Sequence, residues 1–436
     1  MVAHAFAEPI AGLFWGLAAT SLVGLPLYAA RVRGRAYAIF GLVVLLVSLP
    51  GAVIMHLRLR TWLSDPLAYA ADVAFAYSMA AAAVHLASLV RARLRPNAFR
   101  VLISVPGMAF VAAGALAGVW LLALLPVRGA LHLLGLDSAL AALRWLDVVP
   151  FVVAGVSIAT SYRLVPEVVR IRFGPERPDD VTRVPVERHR RRAPAPLPTR
   201  PLRIVQITDP HLGPWQSVRR LRRRIDDLIS REPDLVLLTG DFLTMEGMGS
   251  PGALAEALEP LRRVPGRAFA CFGNHDHEAP EEVRAALRAS GVRLLVDDEA
   301  VAETPAGAVQ IVGADYVGKG RRRHLTALLE RFPRRPDHLR ILLLHDPVGF
   351  QLVPQGEVDL TLSGHTHGGQ LGLVSFGWDW TVLSRTPWPD HGLFGNGPNR
   401  LYVHRGTGFY GFPLRIGVPG EASILEVVLD AVGGNR

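Results

Sequence analysis

The sequence is poor in charge, in lysine and in cysteine. Charged residues make up 19% and hydrophobic residues 50% of its 436 residues, whereas ordinary soluble domains carry about 25% charged residues, so we do not expect a purely soluble protein. Lys319 is the only lysine, and this reliance on arginine indicates a GC-rich coding genome rather than a selected property. Cys271 is the only cysteine, which excludes an intramolecular disulfide and any cysteine-rich zinc or iron–sulfur site.

The net charge of +9 is unevenly distributed along the chain. Residues 1–172 hold 14 arginines against 6 acidic residues, residues 173–203 hold 8 against 4, and residues 204–436 hold 25 basic against 28 acidic residues. Basic charge indicates a nucleic-acid partner where it clusters on a functional domain, and here the C-terminal part is mildly acidic. We therefore expect no nucleic-acid partner.

A transmembrane domain is predicted over residues 1–172. Its five apolar runs lie at 10–30, 36–56, 66–90, 101–126 and 147–165. The first four each reach the roughly 20 residues that a helix needs to cross a bilayer, and the fifth contains Pro150, which a spanning helix tolerates. The segment 129–147 includes Asp137 and Arg144, which are costly at mid-bilayer, so we expect it to be an amphipathic connector on the membrane surface.

Arginines cluster after the first, third and fifth of these runs. Under the positive-inside rule this distribution places the N-terminus outside and everything after the fifth run in the cytoplasm. No lysine or arginine precedes the first run, so it lacks the basic region of a cleavable signal peptide and is expected to remain in the mature protein. We predict a multi-pass membrane protein with a cytoplasmic C-terminal domain.

A linker is predicted over residues 173–201. The segment is rich in proline and carries a basic stretch from Arg188 to Arg192, a composition that favours a semi-extended chain without a core. The basic stretch either binds anionic lipid headgroups or is a solvated tether.

From residue 202 to residue 436 the pattern becomes that of an α/β domain. Short apolar runs lie at Ile204–Ile207, Leu235–Leu238, Ala268–Phe272, Ile341–Leu344 and Leu360–Leu362. Runs of this length that are apolar on both faces are typical of buried strands. Helices fit two of the segments between them, Ser217–Ser230 and Pro280–Ser290.

Each of the five predicted strands is followed by side chains of metal-binding type. They are Asp209 and His211, Asp241, Asn274 and His275, His345, and His365 and His367. A lone aspartate after a strand is most often a turn or cap residue, and a lone histidine is most often structural. Five such positions in register are expected to converge, because functional groups in open α/β sheets collect at the carboxyl ends of the strands. Their mixture of carboxylate, amide and imidazole suits a borderline divalent ion rather than an all-oxygen calcium site.

The order of these blocks, D-x-H, G-D, G-N-H-D, H and G-H-x-H, resembles the signature of the calcineurin-like metallophosphoesterase superfamily. The resemblance spans about Leu202 to Val428, half of the chain. Gly364–Gln370, Leu401–Gly408 and Pro413–Pro419 look like the branch of small bacterial phosphodiesterases that are often membrane-attached, which implies a bacterial cytoplasmic membrane. The fold implied is a double-sheet αββα sandwich, preceded here by an α-helical membrane bundle of about five transmembrane helices.

The resemblance also implies roles for the residues of the site. Two divalent ions (Mn, Fe, Zn, Co or Ni, the identity being open) would share Asp241, with Asp209, His211 and His367 completing one site and Asn274, His345 and His365 the other. A hydroxide held between two such ions attacks phosphorus in line. His275 matches the residue that protonates the leaving alkoxide, and Asp276 is placed beside it as a catalytic candidate that supports the site.

The leading hypothesis is a membrane-anchored phosphohydrolase for phosphodiester or pyrophosphate bonds, with a lipid-linked substrate preferred and membrane lipids as partners. The alternatives are a phosphodiesterase for a soluble substrate such as a cyclic nucleotide, and a non-catalytic membrane sensor or scaffold. The stretch Phe242–Glu246 lacks the Asp and Arg that the protein-phosphatase branch carries there, which argues against a protein phosphatase. Phe376, Trp378, Trp380 and Trp388 follow the last motif and either enter the membrane interface or pack within the domain. The sequence leaves the oligomeric state open.

Overall fold

A computed structural model of the chain describes residues 2–173, 180–190, 195–409 and 411–429. The chain divides into two compact units. One consists of Met1–Thr160 with Gly411–Leu414, and the other of Ser161–Tyr410 with Arg415–Arg436.

The N-terminal unit is helical. Its α-helices are α1 (Val2–Val32), α2 (Arg35–Trp62), α3 (Asp65–Ser88), α4 (Asn97–Phe99), α5 (Val105–Leu133), α6 (Asp137–Arg144) and α7 (Val149–Tyr162). Five stretches are long and apolar enough to cross a membrane: Gly12–Val32, Arg35–Trp62, Asp65–Arg91, Asn97–Leu133 and Asp137–Tyr162. They confirm the five predicted apolar helices. The fourth continues beyond the predicted end at residue 126, because α5 extends to Leu133.

Helices of this unit approach one another through small residues, as membrane helices do where backbones pack closely. A Cβ atom added to Gly51 in α2 would lie 2.2 Å from the carbonyl oxygen of Gly114 in α5. The buried carboxylate of Asp72 lies 2.7 Å from Nε2 of the equally buried His56. Asp147, at the end of the predicted surface connector, accepts hydrogen bonds from Arg58 and Arg128, so its charge is paired.

The C-terminal unit contains fourteen strands within the described residues. They are β1 (Leu164–Arg172), β2 (Thr182–Val184), β3 (Glu187–His189), β4 (Leu202–Ile207), β5 (Leu235–Thr239), β6 (Ala268–Cys271), β7 (Arg293–Leu294), β8 (Asp298–Thr304), β9 (Gly307–Gly313), β10 (Leu339–Leu343), β11 (Leu360–Ser363), β12 (Gly392–Asn396), β13 (Asn399–Val403) and β14 (Gly420–Val428). They form two seven-stranded sheets with the orders β3-β1-β14-β4-β5-β6-β7 and β2-β12-β13-β11-β10-β9-β8. The helices are α8 (Val218–Ile229), α9 (Met245–Met248), α10 (Ala253–Leu258), α11 (Pro280–Ala289) and α12 (Arg321–Arg331).

The two sheets pack face to face between helices, because their central strands are apolar on both faces. In β4, Val205 lies in one core with Leu221 of α8, whereas Ile204 lies in another with Ile341 of the second sheet. A third core joins the second sheet to α12, where Leu342 of β10 lies in one cluster with Leu325 of the helix. This arrangement confirms the predicted double-sheet sandwich with helices outside, and each predicted strand coincides with one of β4, β5, β6, β10 and β11.

The structure differs from the predicted domain boundaries at residues 172 and 202. Strand β1 pairs in parallel with β14 along its whole length, and β3 pairs with β1. Arg170, one of the arginines after the fifth apolar run, is buried and donates to Glu426 at 3.0 Å. Arg188 and Arg190 of the predicted basic stretch bind Glu167, so they are engaged within the sheet. Residues 191–192 of that stretch lie outside the described residues.

Candidate metal centre

The predicted ligands lie at one edge of the sandwich because of the strand directions. Strands β4, β5 and β6 run parallel in the first sheet, and β10 and β11 run parallel in the second. The polar residues that follow the carboxyl ends of these strands therefore lie at the same edge of the sandwich. The structure brings all of the predicted ligands together there: Asp209, His211, Asp241, Asn274, His345, His365 and His367.

The side chains form two groups in which all ligand atoms lie within 4.8 Å of one another. One group consists of Asp209, His211 and His367, and the other of Asp241, His345 and His365. Nε2 of His211 lies 3.8 Å from a carboxylate oxygen of Asp209 and 3.8 Å from one of Asp241. Asp241 thus faces both groups.

Asn274 joins the second group through its amide oxygen, which lies 3.2 Å from Nε2 of His345. The same nitrogen is 3.2 Å from a carboxylate oxygen of Asp241 and 3.2 Å from Nδ1 of His365. A single proton on this nitrogen cannot form hydrogen bonds to all three neighbouring atoms. Such short separations are expected where the atoms surround a shared cation.

The backbone at these positions is held in a sparsely populated conformation. Positive φ angles are found at Asp209 (50°), His211 (44°), Asp241 (58°), His365 (70°) and His367 (52°). Non-glycine residues in this region are uncommon, and they cluster at functional sites where the surrounding fold compensates for the strain. Five of the seven predicted ligands are therefore held by the fold in this conformation at some cost in backbone energy.

Two motif glycines allow the loops to approach. A Cβ atom on Gly273 would lie 2.2 Å from Oδ1 of Asp241, and one on Gly364 would lie 2.1 Å from Oγ1 of Thr208 and 2.2 Å from Oδ2 of Asp209. Any side chain at either position would displace a carboxylate of the site.

Burial and mutual charge shift the pKa values of the group. Burial raises the pKa of Asp209 to about 6 and lowers that of His211 to about 3. Burial alone would lower the pKa of His345, but the Asp241 carboxylate outweighs it and raises the pKa to about 10. For Asp241, burial would raise the pKa, yet the charge of His345 holds it well below its usual range. The donor set, carboxylates with imidazoles and one amide, fits two borderline divalent cations, and a cation bound at His345 would replace the proton on its ring.

Hydrogen bonds from neighbouring residues orient several of these side chains, as is typical of metal sites. Nδ1 of His345 lies 2.6 Å from the carbonyl oxygen of Thr239, and the hydroxyl of Thr208 donates to Asp209 at 2.7 Å. The guanidinium of Arg415 lies 3.2 Å from Nδ1 of His367. Sequence reasoning missed these three supporting residues, because no local pattern marks them.

Asp276 has contacts that differ from those of a catalytic group. Its buried carboxylate accepts hydrogen bonds from the main-chain N–H groups of Asp241, Phe242 and Gly273, at 2.8, 2.8 and 2.7 Å. Burial and the nearby Asp241 carboxylate raise its pKa to about 7. The geometry makes Asp276 a positioning residue that fixes two ligand loops.

His275 lies at the mouth of the site. Its main-chain N–H donates to Asp241 at 2.9 Å, and its ring centroid is 5.7 Å from that of His211. Its Nδ1 is 2.8 Å from a carboxylate oxygen of Glu278, a partner that sequence reasoning missed. The signal was present as an acidic residue three positions on, at the end of the turn Asp276–Glu278. The neighbouring His277 instead binds Asp315 at 2.9 Å.

Comparisons with known proteins agree with this geometry. Residues 202–369 match the family model "Calcineurin-like phosphoesterase". The chain is 29% identical over 233 residues to Phosphodiesterase YaeI of Escherichia coli, a match that covers 52% of this chain and 83% of that protein. It is 30% identical over 276 residues to the Transmembrane protein with metallophosphoesterase domain of Bos taurus, covering 58% of each. An uncharacterized metallophosphoesterase of Campylobacter jejuni is 29% identical over 231 residues, covering 52% of this chain and 59% of the relative.

Proposed function

Because its C-terminal domain belongs to the calcineurin-like metallophosphoesterase superfamily, we propose that this membrane protein is a phosphohydrolase. We propose that it hydrolyses phosphodiester or pyrophosphate bonds of a lipid-linked substrate. The enzyme class is that of metal-dependent phosphoric ester hydrolases. The observation that carries the proposal is the convergence of seven metal-competent side chains, with Asp241 facing both groups, at the edge of the sandwich.

Two divalent ions would be held by the two ligand groups, with Asp241 facing both and Asn274 added to the second. When bound, such ions activate the attacking water and neutralise charge on the phosphoryl oxygens. The chain's own contribution is to keep the Asp241 carboxylate ionised, to orient the imidazole of His345 through Thr239, and to hold the ligand loops in place through Asp276.

His275 is proposed as the general acid that protonates the leaving oxygen. Its Nδ1 faces Glu278 at 2.8 Å, and Nε2 is the ring nitrogen proposed to meet the leaving oxygen. The carboxylate of Glu278 would favour the tautomer with the proton on Nδ1 and would orient the ring so that Nε2 meets the leaving oxygen.

A lipid-linked substrate is supported by the attachment of the domain. Apolar helix α7 ends at Tyr162 and strand β1 of the C-terminal unit begins at Leu164, so Arg163 alone connects them. A short connection tethers the domain to a membrane helix, and such tethering raises the effective concentration of lipid substrates.

The loop after Asp241 supports the exclusion of protein-phosphatase chemistry. Phe242 and Leu243 of this loop are buried in the core, and Glu246 accepts a hydrogen bond from Thr244. The loop therefore offers no guanidinium to a phosphoryl group.

The proposed location is a bacterial cytoplasmic membrane with the catalytic domain in the cytoplasm. The arginines after the first and third apolar runs support this orientation, whereas Arg170 no longer does, because it is buried in the sheet. A reporter that works only in the cytoplasm is expected to be active when it is fused after residue 429. Activity of a reporter that works only on the outer side, fused at the same position, would reverse the orientation.

The function is tested with full-length protein on three substrates: a generic phosphodiester, a phosphomonoester and a total lipid extract. We expect divalent-metal-dependent release of product from the diester and from a component of the lipid extract, and loss of both in Asp241→Ala and His275→Ala. Hydrolysis of soluble diesters alone would favour a soluble substrate. A cellular role that survives both substitutions would favour a non-catalytic sensor or scaffold.

A further inference from the structure

Exposed apolar surface in the C-terminal unit is concentrated in one segment, residues 375–388, here called the aromatic loop. Six large apolar side chains are extensively exposed among the described residues of this unit, and all but Val301 belong to the loop. The five are Phe376, Trp378, Trp380, Val382 and Trp388. Phe376 is 75% exposed and Trp378 is 66% exposed. Contiguous exposure of this kind marks an interaction surface, whereas singly scattered apolar residues do not.

The loop is fixed to the rim of the metal centre. Leu373 donates to the carbonyl oxygen of Trp380 at 2.8 Å, and Val382 donates to that of Leu371 at 3.0 Å. At the far end, the hydroxyl of Thr366, between two candidate ligands, donates to the carbonyl oxygen of Asp390 at 2.6 Å. The aromatic side chains are thus presented outward from a hydrogen-bonded base that adjoins the ligand motif.

The composition and attachment of the loop favour a lipid surface over a protein partner. Tryptophan combines a large apolar ring with an N–H donor, and it is enriched where a membrane meets water. The domain that carries the loop follows the last apolar helix after one residue, Arg163, so a bilayer is always within reach. The exposed charges of the loop are Asp379 and Arg385, of opposite sign, so the segment has little net repulsion from either anionic or zwitterionic headgroups.

We infer that the aromatic loop is an interfacial anchor: its Phe and Trp side chains enter the headgroup region of the bilayer and hold the rim of the metal centre against the lipid surface. This inference deepens the proposed function, and its link to a substrate rests on that function. A rim anchored in this way would hold the metal centre at the depth of the phosphoesters in lipid headgroups. Insertion of the loop itself requires neither metal nor catalysis.

The test uses full-length protein in vesicles of phosphatidylcholine and phosphatidylglycerol. Because Cys271 is the only cysteine and is fully buried, an introduced cysteine can be labelled selectively with an environment-sensitive fluorophore. Trp378→Cys carries the probe in the loop, and Val301→Cys carries it on β8 as the matched control. We expect lipids spin-labelled near the headgroup to quench the probe at position 378 several-fold more strongly than at position 301.

Equal, weak quenching at both positions would overturn the inference. Protection of position 378 from aqueous iodide without lipid quenching would also overturn it, because a protein surface or a second copy would then cover the loop. If Trp378→Cys fails to fold, Phe376→Cys provides the same readout. Strong lipid quenching of a chain that hydrolyses no phosphoester would support the anchor while refuting the proposed function, so the two failures are distinguishable.

Discussion

Replacing Asp276 by asparagine tests whether its carboxylate holds the ligand loops together. Both oxygens are in use: one accepts from Asp241 and Gly273, and the other from Phe242. An asparagine amide that turns its oxygen to the first pair places its NH₂ group against the N–H of Phe242. One buried donor then loses its acceptor, which costs about 1–3 kcal/mol, and water does not replace it because Asp276 is fully buried.

In a domain of this size, about 1 kcal/mol shifts the melting temperature by roughly 2–4 °C. A loss of about 2 kcal/mol for Asp276→Asn therefore predicts a fall of roughly 4–8 °C in the transition of the C-terminal unit. Displaced ligand loops should also weaken metal binding, by about 10–100-fold as for other residues that support metal ligands. Thermal unfolding of the full-length protein in detergent and metal titration of its diesterase activity measure the two effects.

The matched control is Asp298→Asn. Asp298 is 46% exposed and lies 3.2 Å from Arg293, and an exposed pair of this kind contributes at most about 1 kcal/mol. We expect its melting temperature and metal affinity to stay near those of the parent chain. If Asp276→Asn shifted both quantities no more than Asp298→Asn, the positioning role of Asp276 would be refuted.

Three further outcomes follow from the site. His211→Ala should reduce the bound metal from two ions to one per chain and Asp241→Asn should remove both, as measured by elemental analysis; an unchanged metal content would contradict the two-group assignment. Glu278→Gln should lower kcat about tenfold with KM little changed, because the His275 ring loses the carboxylate that orients it; an unchanged kcat, or an equal change in KM, would exclude this positioning role. Since the pKa of His345 is raised to about 10 in the metal-free protein, metal binding at neutral pH should release a proton and strengthen as pH rises. Calorimetry in buffers of different ionisation enthalpy measures that proton, and its absence would count against His345 as a ligand.

The central strands were predictable because burial on both faces leaves an unbroken apolar run, as in Leu235–Leu238. Strand β1 was not predictable in this way. Its residues Leu164–Arg172 include Pro166 and Arg170 and follow directly on an apolar helix, so they resemble a membrane-proximal end. The partner strand β14 lies about 250 residues later in the chain, and no local pattern encodes a pairing at that distance.

The candidate metal ligands were predictable because each of them follows closely on the end of a predicted strand. The supporting residues were not, since their function depends on which loops meet. Arg415 reaches His367 across 48 residues of chain, and Glu278 is one of many surface acids until its distance to His275 is known. The proximity of Asp276 to His275 in sequence suggested catalysis, whereas its carboxylate is occupied by main-chain donors.

The first strand after the last apolar helix is part of the support of the site. Glu167 of β1 is buried and binds Arg405, whose carbonyl oxygen accepts a hydrogen bond from Arg415 at 2.7 Å. Arg415 in turn contacts His367. A buried carboxylate, two buried guanidiniums and a candidate ligand are thus linked, and Glu167 also binds Arg188 and Arg190, so the network joins β1 to the site through several contacts. The chain that ties the domain to the membrane is therefore also a structural element of the catalytic sheet, and residue 202 is too late a starting point for an intact domain.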